Sequence, residues 1–222
     1  MSDGEREIGL VVFDLGGVIV RIARSWGEAH ELAGFLPHPI VESEQFVAER
    51  ARLAHEHQVG AIEPRDYYAA VAAISQGAYD AAGVEQIIQA WTRGEYPGID
   101  EVLDALAARG VPTAALSNTN PPHWARLSPP NGVSTEYPNV VRIERRYPSH
   151  LIGLAKPDPA IYAAFEAETG AEPSEILFFD DGEENVDAAR ERGWAAEVID
   201  HTDDTAAQML YHLDRYGVTG TA

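Results

Sequence analysis

Cysteine is absent from this 222-residue sequence. That absence alone excludes disulfides, thiolate nucleophiles and zinc held by thiolates. Long apolar runs are missing as well, and no stretch approaches the length of a membrane span. The start, Ser2 to Glu7, is polar and mostly acidic. No export signal is visible in it, so a cytoplasmic protein is expected. Basic residues are scarce: 16 Lys and Arg stand against 36 Asp and Glu, for a formal net charge of −20. Such a surface repels nucleic acid and anionic membranes, and neither is expected as a partner. It also repels anionic small molecules unless a local cation or metal reverses the field. Repeats and low-complexity segments are lacking too. What is present is an apolar fraction of 45%, enough for a full core in one domain with an insertion.

The chain is organised around Val11-Val12-Phe13-Asp14-Leu15-Gly16-Gly17-Val18-Ile19-Val20, with apolar residues from Leu10 to Phe13. A short apolar run ending in a turn signal reads as a buried strand. In an open α/β sheet, ligands bind beyond the carboxyl ends of the strands, which is where Asp14 stands. Gly16 and Gly17 let the backbone approach a ligand closely. From Arg21 to about Tyr96 the pattern becomes helical and strand candidates are absent. Ile40, Val41, Phe46, Val47 and Leu53 fit one helix face; Glu63–Ile74, opening with Pro64, fits a second helix and Gly83–Thr92 a third.

From Gly98 onward helices and strands alternate. Asp100 is the expected cap of a helix over Glu101–Arg109, with Gly110 as its stop. Val111–Leu116, Val140–Ile143, Ile176–Phe179 and Ala195–Ile199 read as strands. Asp158–Thr169, Glu183–Arg192 and Thr205–Tyr216 read as helices, with a frayed end after them. The expected fold is α/β, a doubly wound, mostly parallel Rossmann-like sheet. Residues 1–20 and 95–222 would form its core and 21–94 a small inserted helical cap.

Three strands end in polar clusters: Asp14, then Ser117-Asn118-Thr119-Asn120, then Asp180-Asp181. Each has a plain explanation as a turn or an N-cap, and Lys156 alone would be a solvated lysine. In a parallel sheet, however, these loops lie on one edge, so the groups converge. Carboxylates brought together repel, and a hard divalent cation such as Mg²⁺ resolves the repulsion with carboxylate, carbonyl and water oxygens. Lys156 offers a point charge, and Ser117 and Asn118 offer donors for phosphoryl oxygens. Together they suit phosphoryl transfer through a covalent aspartyl-phosphate.

Four segments in order, Phe13-Asp14-Leu15-Gly16-Gly17-Val18, Leu116-Ser117-Asn118-Thr119-Asn120, Lys156-Pro157-Asp158-Pro159 and Phe178-Phe179-Asp180-Asp181 with Glu184-Asn185, resemble the motifs of the haloacid dehalogenase-like hydrolase superfamily. The likeness covers roughly residues 8–20 and 96–216. It is nearest to the branch with small helical caps, which includes glucose-1-phosphatase-type sugar-phosphate phosphatases and the N-terminal phosphatase domain of epoxide hydrolase. The resemblance implies a Mg²⁺-dependent phosphatase acting on a small phosphorylated metabolite. It implies Asp14 as nucleophile and metal ligand, the Gly16 carbonyl as a second ligand, Asp181 as a direct ligand, and Asp180 as a ligand directly or through water. Ser117 and Asn118 would hold phosphoryl oxygens, Lys156 would neutralise Asp14 and the transferring group, and Asn185 would support Lys156 or the metal shell.

One departure matters. Family phosphatases carry a second Asp two residues after the nucleophile as general acid and base, and here Gly16 stands in its place. A lost acid/base costs about 10²–10⁴ in rate. Acyl, anomeric or aryl phosphates, whose leaving groups depart easily, would need it least. Alternatively a water held by Asp180, a cap residue or His123 takes over. The rival functions are a carbon–halogen hydrolase using the same Asp without metal, and a non-catalytic binding protein that has lost turnover at Gly16.

Elsewhere the plain readings stand. His55 and His57 are two apart and would not share a helix face. His123 reads as a surface histidine. Arg142, Arg145 and Arg146 read as solvated or salt-bridged, and Trp26, Trp91 and Trp124 as packing. Arg21–Glu28 and Gly60–Asp66 are the parts of the cap expected to overhang Asp14.

Overall fold

Short apolar runs become parallel strands, and the amphipathic segments between them become the helices that cover the sheet. The computed structural model describes residues 7–36 and 38–220. The acidic start before Glu7 and the last two residues of the expected frayed end lie outside the described residues. In chain order come β1 (Leu10–Phe13), β2 (Val20–Ile22), α1 (Trp26–Leu32), α2 (Glu44–Gln58), α3 (Pro64–Ile74) and α4 (Ala81–Ala90). Then follow β3 (Thr92–Glu95), α5 (Ile99–Arg109), β4 (Thr113–Ser117), α6 (Pro121–Leu127), β5 (Arg145–Pro148) and α7 (Ser149–Ile152). The chain closes with α8 (Pro159–Thr169), β6 (Ile176–Asp180), α9 (Glu183–Glu191), β7 (Ala195–Val198) and α10 (Thr205–Arg215).

Five strands form one parallel sheet in the order β5-β4-β1-β6-β7. Alternate residues point to opposite faces, and both faces are covered, so each inner strand is buried along its whole length and apolar apart from its ends. Val11, Phe13, Ala115, Leu177 and Phe179 pack on one side with Val102, Leu106, Met209 and Leu213 of α5 and α10. Leu10, Val12, Ala114, Leu116, Ile176 and Phe178 pack on the other with Ile161, Tyr162, Phe165 and Val186 of α8 and α9. The sheet is therefore the doubly wound, mostly parallel α/β arrangement the sequence predicts. Chain order reverses direction around β1, whose neighbours are β4 and β6. Their carboxyl ends carry Asp14, Ser117 and Asp180 to one edge, the place where such sheets bind ligands.

The helices between Trp26 and Ala90 bury an apolar cluster of their own, rich in aromatics: Trp26, Phe46, Tyr67, Tyr68 and Tyr79. His30 is buried among them, its Nδ1 2.5 Å from the Tyr79 hydroxyl and its Nε2 2.6 Å from the Leu36 carbonyl. Among the described residues no helix is long and apolar enough to cross a membrane.

Several expected elements shift. Strand-free as the sequence reads between Arg21 and Tyr96, β2 and β3 pair antiparallel at the base of the helical segment. Their sequences, VRI and TRGE, are too short and polar to show a period. Ile40 to Leu53 is not one helix: Ser43 is extended and caps α2 after a 3₁₀ turn over Pro39–Glu42. The sequence of α1 carries no strong period and does not predict a helix, and α4 starts earlier than Gly83 because Asp80 caps it. Gly98, not Asp100, is the cap of α5, in the left-handed region; Ile99 is buried at the first turn and Asp100 is exposed. Val140–Arg142 is a 3₁₀ turn, not a strand. The edge strand begins at Arg145, where the sequence RRYP hides it because one side of an edge strand is not buried in the sheet.

Candidate active site

Asp14 follows β1 directly, and its N–H donates to the Phe179 carbonyl across the sheet at 2.8 Å. This places its carboxylate beside the end of β6. Lys156 lies between the two strand ends. Its Nζ is 3.0 Å from Asp14 Oδ1 and 2.6 Å from Asp180 Oδ2, and its side chain is fully buried. The Phe178 ring also lies 5.1 Å beneath the ammonium. Burial pushes the Lys156 ammonium down, but Asp14 and Asp180 outweigh it and hold its pKa above the ordinary lysine value. Lys156 is therefore not the solvated lysine of the plain reading.

Asp180 has both carboxylate oxygens engaged. Oδ2 takes Lys156, while Oδ1 accepts from the Gly182 N–H at 2.8 Å and from Asn185 Nδ2 at 2.9 Å. Asn185 is thus a support for Asp180, and its own carbonyl accepts from the Tyr162 hydroxyl. Asp181 is more open and pairs with Arg24, a contact no sequence signal foretold. Gly17 sits at a positive φ of 82°, and a Cβ there would collide with the Asp181 carboxylate. A side chain at 17 would displace that carboxylate.

Asp14, Asp180 and Asp181 offer oxygen atoms that all lie within 4.8 Å of one another. Burial, partly countered by Lys156 and reinforced by Asp180 and Asp181, raises Asp14 to about 7. Asp14 Oδ1 is buried and, though near Lys156, has no aligned hydrogen bond. Three carboxylates facing Lys156 and Arg24 keep an excess of negative charge at this edge. Hard oxygens in this number, gathered within 4.8 Å, fit a Mg²⁺-like cation.

Ser117 ends β4, buried, and borders a cavity that Leu15, Gly16 and Asn118 also line but Asp14, Lys156, Asp180 and Asp181 do not. Asn118 makes a reciprocal pair with the main chain of Lys156: its Nδ2 donates to the Lys156 carbonyl at 2.8 Å and its Oδ1 accepts from the Lys156 N–H at 2.9 Å. Asn120 caps α6 by accepting from the His123 N–H. Gly16 is not in the left-handed region, and a Cβ built on it would come 3.0 Å from Ile22 Cδ1. An aliphatic side chain thus crowds the position where an acid/base Asp would stand.

The cavity next to Gly16, Ser117 and Asn118 has a volume of about 240 Å³. Its far wall comes from the helical segment: Ile22, Trp26, Arg50, Ala54, His57, Gln58, Tyr67, Ile88 and Trp91. Arg21–Glu28 overhangs the site as expected, through Ile22, Trp26 and the Arg24–Asp181 pair. Gly60–Asp66 lines none of it. That stretch sits instead against α7, where a Cβ at Gly60 would come 2.5 Å from the His150 carbonyl. The wall is built by α2, whose residues 50, 54, 57 and 58 share one face. The sequence reading picked out the Phe46 and Leu53 side of this helix, not the face that lines the cavity.

His123 is buried rather than on the surface. Its Nε2 is 2.8 Å from the Ile88 carbonyl, and burial pulls it down to about 4. His55 is exposed while His57 is buried, so the two do not act together. Arg142 pairs with Asp104, and Arg146 caps the carbonyls of Val141 and Ile143. Neither lines the cavity, nor does Arg145. Trp124 packs on the core, while Trp26 and Trp91 serve both packing and the cavity wall.

The chain is 28% identical over 192 residues to a D-ribitol-5-phosphate phosphatase of Bacteroides thetaiotaomicron, covering 83% of this chain and 88% of that protein. It is 30% identical over 122 residues to a phosphatase of Mycobacterium tuberculosis, which is 55% of this chain and 54% of the relative. Among solved structures, a HAD family enzyme of B. thetaiotaomicron in complex with magnesium and inorganic phosphate superimposes with a TM-score of 0.71. It is 22% identical, with 90% of this chain and 98% of that chain covered. An L-2-haloacid dehalogenase of Xanthobacter autotrophicus superimposes with a TM-score of 0.62 at 21% identity, covering 96% and 84%. At such identities the superpositions show the fold. The model of the haloacid dehalogenase-like hydrolase family matches residues 8–193. A match of that span, on this sheet, makes the chain a haloacid dehalogenase-like hydrolase.

Proposed function

We propose that this hydrolase is a Mg²⁺-dependent phosphatase of a small phosphorylated metabolite. The observation that carries the reading is the buried Asp14 carboxylate, 3.0 Å from the Lys156 ammonium and grouped with Asp180 and Asp181 within 4.8 Å. Asp14, the Gly16 carbonyl, Asp181 and Asp180 would hold the cation, which when bound screens the charge of the phosphoryl oxygens. The carboxylate oxygen of Asp14 attacks phosphorus, the bond to the leaving oxygen breaks, and an acyl phosphate forms on Asp14. Water then attacks that phosphorus, releasing inorganic phosphate and restoring the carboxylate. Lys156 neutralises Asp14 and the transferring group. Ser117 offers its hydroxyl to the non-bridging oxygens. Asn118, whose amide is engaged with Lys156, offers its backbone N–H.

No acid stands at position 16, and Ile22 crowds the place. The leaving oxygen therefore departs without a side-chain proton there, which favours acyl, anomeric and aryl phosphates. In this reading residues 21–94 act as the cap that closes the leaving-group side over a core of 1–20 and 95–222. A carbon–halogen hydrolase would have no need of a carboxylate cluster that repels itself without a cation.

The test is phosphate release from acetyl phosphate, p-nitrophenyl phosphate, glucose 1-phosphate and glucose 6-phosphate, with Mg²⁺ or chelator. We expect Mg²⁺-dependent turnover of the first three in preference to the fourth, abolished by Asp14→Asn. Turnover that survives in chelator or in Asp14→Asn would sink the reading.

A further inference from the structure

The cavity beside Gly16 and Ser117 leaves two of its own polar atoms unserved. Arg50 Nε and His57 Nε2 are buried, and neither atom has a hydrogen-bond partner. Both residues line the cavity from α2. Buried donors and acceptors are paired as a rule, so two orphans on residues that line one cavity mark that wall as a place for a polar ligand group, beside the Tyr67 hydroxyl that the Arg50 side chain already meets. Neither side chain is loosely placed. His57 is 2% exposed and stacks on the Tyr67 ring at 4.3 Å between centroids. The Arg50 guanidinium lies 5.3 Å from the centroid of Trp26, itself held edge-on by Phe46.

Charge narrows the ligand. Among the described residues no Asp or Glu lines the cavity, in a chain whose net charge is −20. Arg52 is paired with Glu49 and Glu56, whereas Arg50 forms no ion pair among the described residues. Burial, with His123 and His150 nearby, pulls His57 down to about 4, so the imidazole is neutral and the subsite's charge is that of Arg50. The volume, about 240 Å³, is smaller than the roughly 300–1,000 Å³ of drug-sized pockets, so the leaving group is small.

We propose that Arg50 and His57 form the leaving-group subsite, and that the substrate carries a second anionic group, a carboxylate or a further phosphate, at the end remote from the transferred phosphoryl group. This rests on the phosphatase reading. Arg50 supplies the charge and a directed N–H, and His57 supplies a neutral partner for an adjacent polar atom.

Three probes sharing one ring test it: 4-carboxyphenyl phosphate, its methyl ester, and 1,4-phenylene bisphosphate. Wild type should show kcat/KM at least about tenfold higher for one of the anionic probes than for the neutral ester, and which one it is separates a carboxylate from a phosphate. Arg50→Gln should bring that ratio close to one, Arg50→Lys should regain part of it, and His57→Gln should lower it. Calorimetric binding of 4-hydroxybenzoate and of inorganic phosphate to wild type and Arg50→Gln reads the subsite without turnover. Equal turnover of all three probes, unchanged in ratio by Arg50→Gln, would overturn the subsite and leave the phosphatase reading intact. No turnover of any probe, with 4-hydroxybenzoate binding that Arg50→Gln removes, would keep the anion subsite and end the phosphatase reading. Neither turnover nor Arg50-dependent binding would overturn both.

Discussion

Lys156 answers two carboxylates at once, and its ammonium has no solvent to fall back on. Removing one partner of such a buried group leaves uncompensated charge, at a cost of about 3–5 kcal/mol. Lys156→Met should therefore lower both urea stability by that order and turnover by about 10³-fold or more, a magnitude typical of removing charge stabilisation in a site. The double variant Lys156→Met/Asp180→Asn should recover stability but not activity, which separates the structural loss from the chemical one. Gly16 is the second informative residue. An Asp there must push Ile22 Cδ1 aside from a 3.0 Å approach. If the missing acid is what limits poor leaving groups, Gly16→Asp should raise kcat/KM on glucose 6-phosphate relative to p-nitrophenyl phosphate by about tenfold or more. Ile22→Val beside it should enlarge the gain, and no change in either variant would refute the leaving-group account. Asp14 and Asp180 were legible as residue types at strand ends, and Lys156 as the lysine before the Pro157 turn that opens α8. Arg24, in the bend between β2 and α1, and Arg50 and His57 on α2 were not, because nothing in a sequence says which way such side chains turn.

At the scale of elements, α2 and α6 each place a neutral histidine against the cavity. His57 and His123 are both pulled down to about 4 by burial, against an ordinary value of about 6.5. The unfolded chain binds their protons first as pH falls, so the stability they contribute is whole above about pH 6.5 and is lost on the way down to about pH 4. The size of the loss is on the order of 3 kcal/mol for each. Melting temperature should fall steeply across that window, and His57→Gln should flatten the fall; a profile identical to wild type would show that His57 does not titrate there. The junction of these elements is Ser149, whose hydroxyl donates toward the Gln58 and Thr119 carbonyls and accepts from the Thr119 N–H. It ties the end of α2 to the loop carrying Ser117 and Asn118. The helices with a clear start signal, Pro64 for α3 and the Asp158 and Asp204 caps for α8 and α10, were legible nearly to their ends. The pair β2 and β3 and the edge strand β5 were not, since only pairing makes strands of such short polar sequences.

Charge governs the behaviour of the whole molecule. A net charge of −20 repels any phosphorylated substrate at long range, while Lys156, Arg24 and a bound cation act only within the site. Salt shortens that repulsion, from about 30 Å at 0.01 M to about 8 Å at 0.15 M. With Mg²⁺ saturating, kcat/KM for an anionic ester should therefore rise severalfold over that range and not fall. A fall would mean that a local positive field, not the net charge, governs encounter. The same acidity makes the buried Asp14 cluster costly without a cation, so Mg²⁺ should raise the melting temperature of wild type more than that of Asp14→Asn.

The sequence by itself determined the inner strands of the sheet, because strands buried on both faces are mostly apolar and these runs are short and bounded by turn signals. It also determined that three polar clusters would end those strands, and a parallel sheet then leaves them only one edge to share. The tertiary structure alone decided which partners those groups meet. It turned Lys156 inward, set Asn118 on the Lys156 main chain, filled the space beyond Gly16 with Ile22, and turned one face of α2 over the cavity. Those outcomes depend on contacts between residues far apart in the chain, and local pattern carries no information about the distance or direction of such contacts.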